Sequence, residues 1–434
     1  MNERPGWRIS ETIRQSLIHS FTLSLFRYME TTITKPETLR ADWIAFSLCS
    51  LSYLLGGTAS TLMATFLPVA IPELLGKSVS ETQLGDVGAY ISAAFLYGWM
   101  AGGLLFGMVG DRIGRTRAVA FVTFLYGVAM LFTVFAPNWP MLLLYRFLTG
   151  AGVGGVLLLT TVYLSEIWPE KSRPVVLGIL AVMFPVGIVA TGGLNAGLVP
   201  WRQAFWLGLI PVVVAILMIF RLPESANWAR LRQQPQSGKA WSPTDQANLL
   251  TGVLIFGTVL IGLWGTFSWI PTWVQSLLPA GQAGGKERGL TMMLLGMGGI
   301  IGGMLSGVLI GKLGSRKTLL LTFAGCAGGC ALLFLSNRQF SPIIYAETAL
   351  VALFFGISQG ALSSIIPELF PVRIRATAVG ISFNIGRFFT ATAVFFVGTM
   401  VAGLGGFGNA LLVFSVAFLI AGFAVFVRYR PASH

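Results

Sequence analysis

Long apolar runs, separated by short polar breaks rich in Gly and Pro, set the pattern of the chain. A membrane-crossing helix needs roughly 20 consecutive, mainly apolar residues. Reading runs and breaks predicts twelve such helices, over 44–72, 88–109, 118–136, 141–165, 175–198, 204–221, 249–273, 290–313, 318–335, 341–366, 377–402 and 407–427. The sixth and ninth are the shortest. An even number of crossings puts both chain ends on one side, and the distribution of Lys and Arg identifies that side. With both ends in the cytoplasm, 22 of the 29 basic residues fall there and five (Lys77, Arg202, Lys286, Arg288, Arg338) fall outside. The other two, Arg146 and Arg387, lie inside spans, away from their cytoplasmic ends. Basic residues collect on the cytoplasmic face of membrane proteins, so the pattern predicts an integral protein of the plasma membrane (in a bacterium, the inner membrane) with both termini cytoplasmic.

The longest loop between spans, 222–248, contains Pro, Gly, Ser and charge and falls at the middle. It divides the chain into a tail (1–42), a six-helix bundle (43–221), a cytoplasmic linker (222–248), a second six-helix bundle (249–427) and a short tail (428–434). The fold class expected is an all-α membrane protein, twelve transmembrane helices in two pseudo-symmetric bundles. The halves are related: "EIWPEKSRPVVLG" (166–178) and "ELFPVRIRATAVG" (368–380) share Glu, Pro, Arg and Gly at equal spacing. "GMVGDRIGRTR" (107–117) and "GVLIGKLGSRK" (307–317) align in the same way. Repeats at half-chain distance are characteristic of carriers that rock one half against the other. In the first tail Ile9, Ile13, Leu17, Phe21 and Leu25 recur every four residues. That spacing suits an amphipathic helix on the membrane surface. A partly ordered tail, or translation starting at Met29, fits as well.

Composition agrees with the pattern and removes alternatives. The chain is 55% hydrophobic and 10% charged, with a mean hydropathy of +0.77, whereas soluble domains are about 25% charged. The net charge of +13 sits in short clusters rather than in a basic stripe with interleaved aromatics, so no nucleic-acid partner is expected. Cys49, Cys326 and Cys330 lie in apolar segments and read as small packing residues. The two histidines, His19 and His434, lie near the termini, which leaves no metal site or Ser-His-Asp machinery within the membrane. Gly76-Lys77-Ser78 imitates the end of a phosphate loop but lacks its upstream glycine, position 71 being Ile. No cofactor and no enzymatic site are expected.

Several motifs together resemble the major facilitator superfamily. "GMVGDRIGRTR" looks like its signature between the second and third spans, and "RFLTGAGVGG" (146–155) resembles its fourth-span motif. The Glu-x-x-Pro-x-x-x-Arg segments, with "LPESANW" (222–228), are similar to the sugar-porter and metabolite:proton symporter branch, which includes organic anion and cation carriers. Gly107, Gly110 and Gly114 would let backbones approach closely. Asp111 would latch the cytoplasmic side when the carrier opens outward, with Arg112, Arg115 and Arg117 at the anionic inner leaflet. The second half has Gly311 where the acid stands, so its latch should be weaker. Glu166 with Arg173, and Glu368 with Arg375, read as paired gating or hinge contacts. Gly299, Gly303, Gly307 and Gly311 of the eighth span read as a close-packing stripe.

Ionisable groups inside spans are costly and usually face a cavity or a partner. Arg146 opens the fourth span; it either snorkels to the outer boundary or, as the resemblance implies, supports a coupling network. Arg387 lies twelve residues past Arg375, or ~18 Å along a helix, too deep for easy escape from a ~30 Å core. Its partner is either an anionic ligand, since a guanidinium fork suits carboxylate, or helix carbonyls. "SFNIGRF" (382–388) resembles the organic anion carriers of the superfamily, which have an arginine on this span, and Asn384 would share the ligand. Glu347 and Asp86 are the candidates for proton coupling. The first-span segment 46–66 holds no acid, unlike aromatic-acid and sugar symporters. At the end of the seventh span Trp269 and Trp273 read as an interfacial belt, Trp264 as lining the cavity, and Pro271 as allowing the bend of an outer gate.

The function expected is secondary transport of a small organic solute, a carboxylate or similar anion, by alternating access with protons, by a monomer in the lipid bilayer. A sugar or drug carrier of the same fold is the alternative within transport, and a membrane-embedded nutrient sensor the alternative outside it.

Overall fold

The computed structural model describes residues 36–76, 79–231, 242–371 and 374–429. The amphipathic reading of the first tail, on Ile9 to Leu25, therefore lies outside the described residues, as does the end of the second tail.

Among the described residues twelve helices are long and apolar enough to cross a membrane. They begin and end beyond the apolar runs. The first is Pro36–Leu75 and the second Glu81–Ile113. Ser80 caps the second by accepting the Gln83 N–H, and Glu81 stands at its positive end, so polar first turns belong to the helix although hydropathy excludes them. Next come Arg115–Val134, Trp139–Ile167, Arg173–Ala196 and Trp201–Arg221. The second half holds Pro243–Ser276, Gly285–Leu313, Ser315–Ser336, Ile343–Glu368, Arg375–Phe395 and Phe407–Arg428. The linker itself contains a short helix, Ala226–Leu231.

Two spans are broken. The seventh stops at Phe267 and resumes as Ile270–Ser276 with Pro271 in the first turn, where a missing N–H costs nothing. The eleventh continues past Phe396 as Val397–Leu404. The break between the second and third spans is Gly114 alone, at φ 109°, and Gly314 repeats it at φ 79°.

Packing follows one scheme twice. In the first half the second span packs on the fourth, the first on the fifth and the third on the sixth. In the second half the eighth packs on the tenth, the seventh on the eleventh and the ninth on the twelfth. Two seams join the halves: fifth against eighth, and second against eleventh. The second and fourth spans touch backbone to backbone, since a Cβ on Gly102 would overlap the Ala151 carbonyl and one on Gly150 would overlap the Phe95 carbonyl. This is the small-residue contact that membrane helices use in place of hydrophobic burial.

The seams are closed on one side of the bundle only. Both described chain ends and the linker define a linker side; the opposite side is called the far side. On the far side Gly85 meets Gly398, Gly192 meets Gly289, and the rings of Tyr90 and Phe395 lie 4.9 Å apart. Nearer the centre the Tyr97 and Thr392 hydroxyls share a 2.9 Å hydrogen bond. Toward the linker side the halves diverge. Gly303, Gly307 and Gly311 have no atom within 4 Å of where a Cβ would be, and only Gly299 of that stripe touches the other half, at Pro185. The close-packing reading of the stripe is thus corrected: three of its four glycines have open space where a side chain would stand.

Candidate functional site

Arg387 projects from the middle of the eleventh span toward the first half. Its guanidinium carbon lies 5.0 Å from the centroid of Trp99 on the second span. Among the described residues it has no hydrogen bond and no ion pair, and the helix carbonyls do not hold it. Trp99 is itself packed edge-to-face on Trp264 (5.4 Å) and on Phe95 (5.7 Å), and is tilted against Phe184 (5.8 Å). Rings from the second, fifth and seventh spans, with Tyr53 beyond Phe184, therefore pack around Trp99, the ring that carries the cation. A cation over a Trp face is stabilised by ~0.5–2 kcal/mol, which offsets part of its burial cost and leaves its fork of donors unsatisfied.

Asn384 lies one turn nearer the linker side. Its Nδ2 donates to the Gly380 carbonyl at 2.8 Å, while its Oδ1 is buried against Gly103 with no partner. Trp264 is 8% exposed and joins Arg387 through Trp99. The structure thus brings Arg387, Asn384 and Trp264 to one place, where the second and eleventh spans cross.

Arg146 does not snorkel. The fourth helix starts at Trp139, seven residues earlier, and the side chain turns inward, 2% exposed. It sits 4.5 Å over the Phe95 ring and donates from Nη1 to the Ala59 carbonyl at 3.0 Å, while its Nε has no partner. Arg146 and Arg387 thus approach opposite ends of the ring pair Phe95–Trp99. Among the described residues no acidic side chain is bonded to either. A low-dielectric centre with two uncompensated cations favours an anion.

The proposed acids lie elsewhere. Glu347 is 9% exposed and accepts from Asn337 at 2.5 Å, tying the end of the ninth span to the tenth, away from Arg387. Asp86 stands on the far-side seam, where a Cβ on Gly398 would overlap its carboxylate. Trp269 and Trp273 form no interfacial belt: they are 0% and 2% exposed, stacked on Phe407 and edge-on to Phe334. The belt reading is therefore corrected; the broken seventh span turns these rings into the bundle.

On the linker side the two Glu–Arg pairs are also corrected. Glu166 accepts from Arg115 Nε at 3.0 Å and from the Ser225 hydroxyl, and Arg173 donates to the Trp168 carbonyl at 3.2 Å. In the second half Arg375 donates to the Phe370 carbonyl at 3.1 Å rather than to Glu368. Each arginine reaches the carbonyl five residues back, at the end of the preceding helix, where unsatisfied carbonyls carry partial negative charge. The repeat is real, and its contact is a helix cap. Asp111 pairs with Arg115 at 2.6 Å, and its backbone carbonyl accepts from Trp228 of the linker helix. Glu224 accepts from the Arg115 and Thr116 N–H groups. Arg112 is exposed. The contacts of Asp111, Arg115, Glu166 and Glu224 named here lie within the first half and the linker.

Trp99, Phe95, Tyr53 and Phe184 were not singled out from the sequence. Their one signal is position, mid-span, on helices that also carry glycine contacts.

The chain matches the family model for the Major Facilitator Superfamily over residues 49–393. It is 28% identical over 405 residues to the cis,cis-muconate transport protein of Acinetobacter baylyi, covering 89% of this chain and 94% of the relative. It is 29% identical to the 3-(3-hydroxy-phenyl)propionate transporter of Escherichia coli, over 81% of this chain and 85% of the relative. It is 27% identical to the 4-hydroxybenzoate transporter PcaK of Pseudomonas aeruginosa, over 84% and 87%. In fold it is similar to the inward open conformation of the xylose transporter XylE from E. coli, with a TM-score of 0.73 at 16% identity, covering 90% of this chain and 96% of that one.

Proposed function

The chain belongs to the Major Facilitator Superfamily, and on that premise we propose that it carries a small organic carboxylate across the membrane by alternating access, using Arg387 as the anion's partner. The observation that carries this reading is the Arg387 guanidinium, stacked on Trp99 between the two halves with no hydrogen bond among the described residues. A carboxylate completes the fork in bidentate fashion, and the rings beside it suit a flat, conjugated body. Relatives named for muconate, hydroxybenzoate and hydroxyphenylpropionate support the same class. A sugar needs neutral donors and acceptors and leaves this charge unpaired.

In this reading the linker side faces the cytoplasm, by the excess of basic residues there, and the protein works as a monomer in the plasma membrane (in a bacterium, the inner membrane). Binding draws the halves together on the linker side, where Asp111 and the arginines beside it then latch them. Uptake is coupled to protons through Asp86, which sits on the seam that opens and closes; Glu347 is a packing residue. Asp86→Asn should remove the pH dependence of uptake while labelled-for-unlabelled exchange continues. Unchanged pH dependence would remove Asp86 from the coupling.

The reading is tested by thermal stabilisation of the purified carrier. A ligand at 100 times its Kd stabilises by about 2.7 kcal/mol. Aromatic and unsaturated carboxylic acids should raise Tm, and sugars and amines should not. Stabilisation by sugars or amines with acids inert would overturn it.

A further inference from the structure

A cavity lies on the far-side flank of the ring cluster, and Arg387 is not among its lining residues. It measures about 20 Å³ and is lined by Arg146, Ser60, Ser92, Phe95, Trp264 and Ser268, among others. One water needs about 10–15 Å³ on this measure, so the cavity accepts one atom-sized occupant and excludes an organic acid. Its chemistry is that of an anion site. Arg146 is 2% exposed; among the described residues its buried Nε has no partner, and only the Ala59 carbonyl and the Phe95 face stand against its charge. The first-span segment beside it holds no acid over residues 46–66. The Ser60 hydroxyl is spent on the Gly56 carbonyl at 2.7 Å. The hydroxyls of Ser92 and Ser268 donate to no described residue, which leaves two O–H donors beside a buried guanidinium.

We propose that this cavity binds a single halide ion, chloride in the first instance, held by Arg146 with Ser92 and Ser268. The ion supplies the negative charge that the surrounding helices lack, and buried charges are stable only when paired. Arg146 and Ser92 belong to the first half, while Ser268 lies at the break of the seventh span in the second. The bound ion therefore bridges the halves on the far side and favours the far-side-closed state. This is independent of which solute Arg387 takes.

The test uses the full chain in lipid nanodiscs without organic acid, replacing sodium gluconate by sodium chloride or bromide at fixed ionic strength. The wild type should show a saturable rise in Tm of a few degrees in either halide. Arg146→Gln should show none, and Arg387→Gln should keep the whole rise, which separates this site from the organic-anion site. Ser268→Ala should raise the half-saturating chloride concentration roughly fivefold, as expected for one lost hydroxyl hydrogen bond. A wild type with equal Tm in chloride and gluconate, or an Arg146→Gln variant with the full rise, overturns the proposal. Should Arg146→Gln not fold, the Ser92→Ala/Ser268→Ala double variant takes its place, and unchanged half-saturation overturns it. An Arg146-dependent rise produced by organic acids and not by halides also overturns it, in favour of substrate reaching the second arginine.

Discussion

Arg387→Ala should abolish uptake of the organic anion while the protein still folds and reaches the membrane. The charge has no structural bond to lose: among the described residues its contact is the Trp99 ring at 5.0 Å. Removing it deletes the one cation that the eleventh span places at the crossing of the halves. Arg387→Lys keeps the charge and loses the planar fork, which is not a conservative change at a bidentate, ring-stacked site. It should weaken binding roughly 10- to 100-fold, on a loss of ~1.5–3 kcal/mol, the scale of one hydrogen bond to a charged group. Uptake of labelled acid into proteoliposomes, alongside monodispersity of the purified variants, measures both. Normal transport by Arg387→Ala would remove the anion assignment and favour a sugar or drug carrier.

The second large effect concerns folding rather than binding. Gly102→Leu should prevent the stable assembly of the first half. Even a Cβ at this position overlaps the Ala151 carbonyl, which is backbone of a packed helix and cannot swing aside. The second and fourth spans would have to separate, and with them Phe95, Trp99 and Arg146, which build the site. Overpacking of this kind costs ~1–3 kcal/mol when side chains can adjust, and more is expected where the obstacle is main chain. Gly307→Leu is the control. It has open space around it, so its stability should stay within ~0.5 kcal/mol of wild type, as for ordinary surface substitutions. Thermal melting of both variants decides the matter; equal melting would mean that the backbone contact does not hold the spans together.

The contrast between these glycines marks where sequence reading stops. Both stretches are rich in glycine, and only the helix face on which each falls separates Gly102, packed on the fourth span, from Gly307, in open space. The spans were legible because a bilayer demands long apolar runs, and their order was legible because the halves repeat. Helix ends were not: the second span begins with Ser80, Glu81 and Asp86, polar residues that a capped helix accepts and hydropathy rejects. Arg387 could be placed at mid-membrane by counting residues from Arg375. Trp99 could not, since an aromatic inside an apolar run looks like any other until its neighbours are known. The Glu166–Arg173 pair looked plausible from spacing, yet Arg115, fifty-one residues away in sequence, holds the carboxylate. Arginine after a helix end has a nearer acceptor in the last carbonyls, and sequence spacing does not reveal that competition. Pro271 signalled the break in the seventh span, whereas the break at Phe396 in the eleventh carries no Pro and had no equivalent signal.

The central claim is that a carboxylate's negative charge is bound by Arg387, and one equilibrium measurement addresses it directly. An unsaturated or aromatic acid that stabilises the wild type is compared with its own primary amide, by calorimetric titration against wild type and Arg387→Gln. The two ligands share shape and ring area and differ in charge. The account predicts that the wild type binds the acid at least ~30-fold more tightly than the amide, a difference of about 2 kcal/mol, and that Arg387→Gln binds both equally weakly. Equal affinity of the wild type for acid and amide, or full preference for the acid retained in Arg387→Gln, would contradict it.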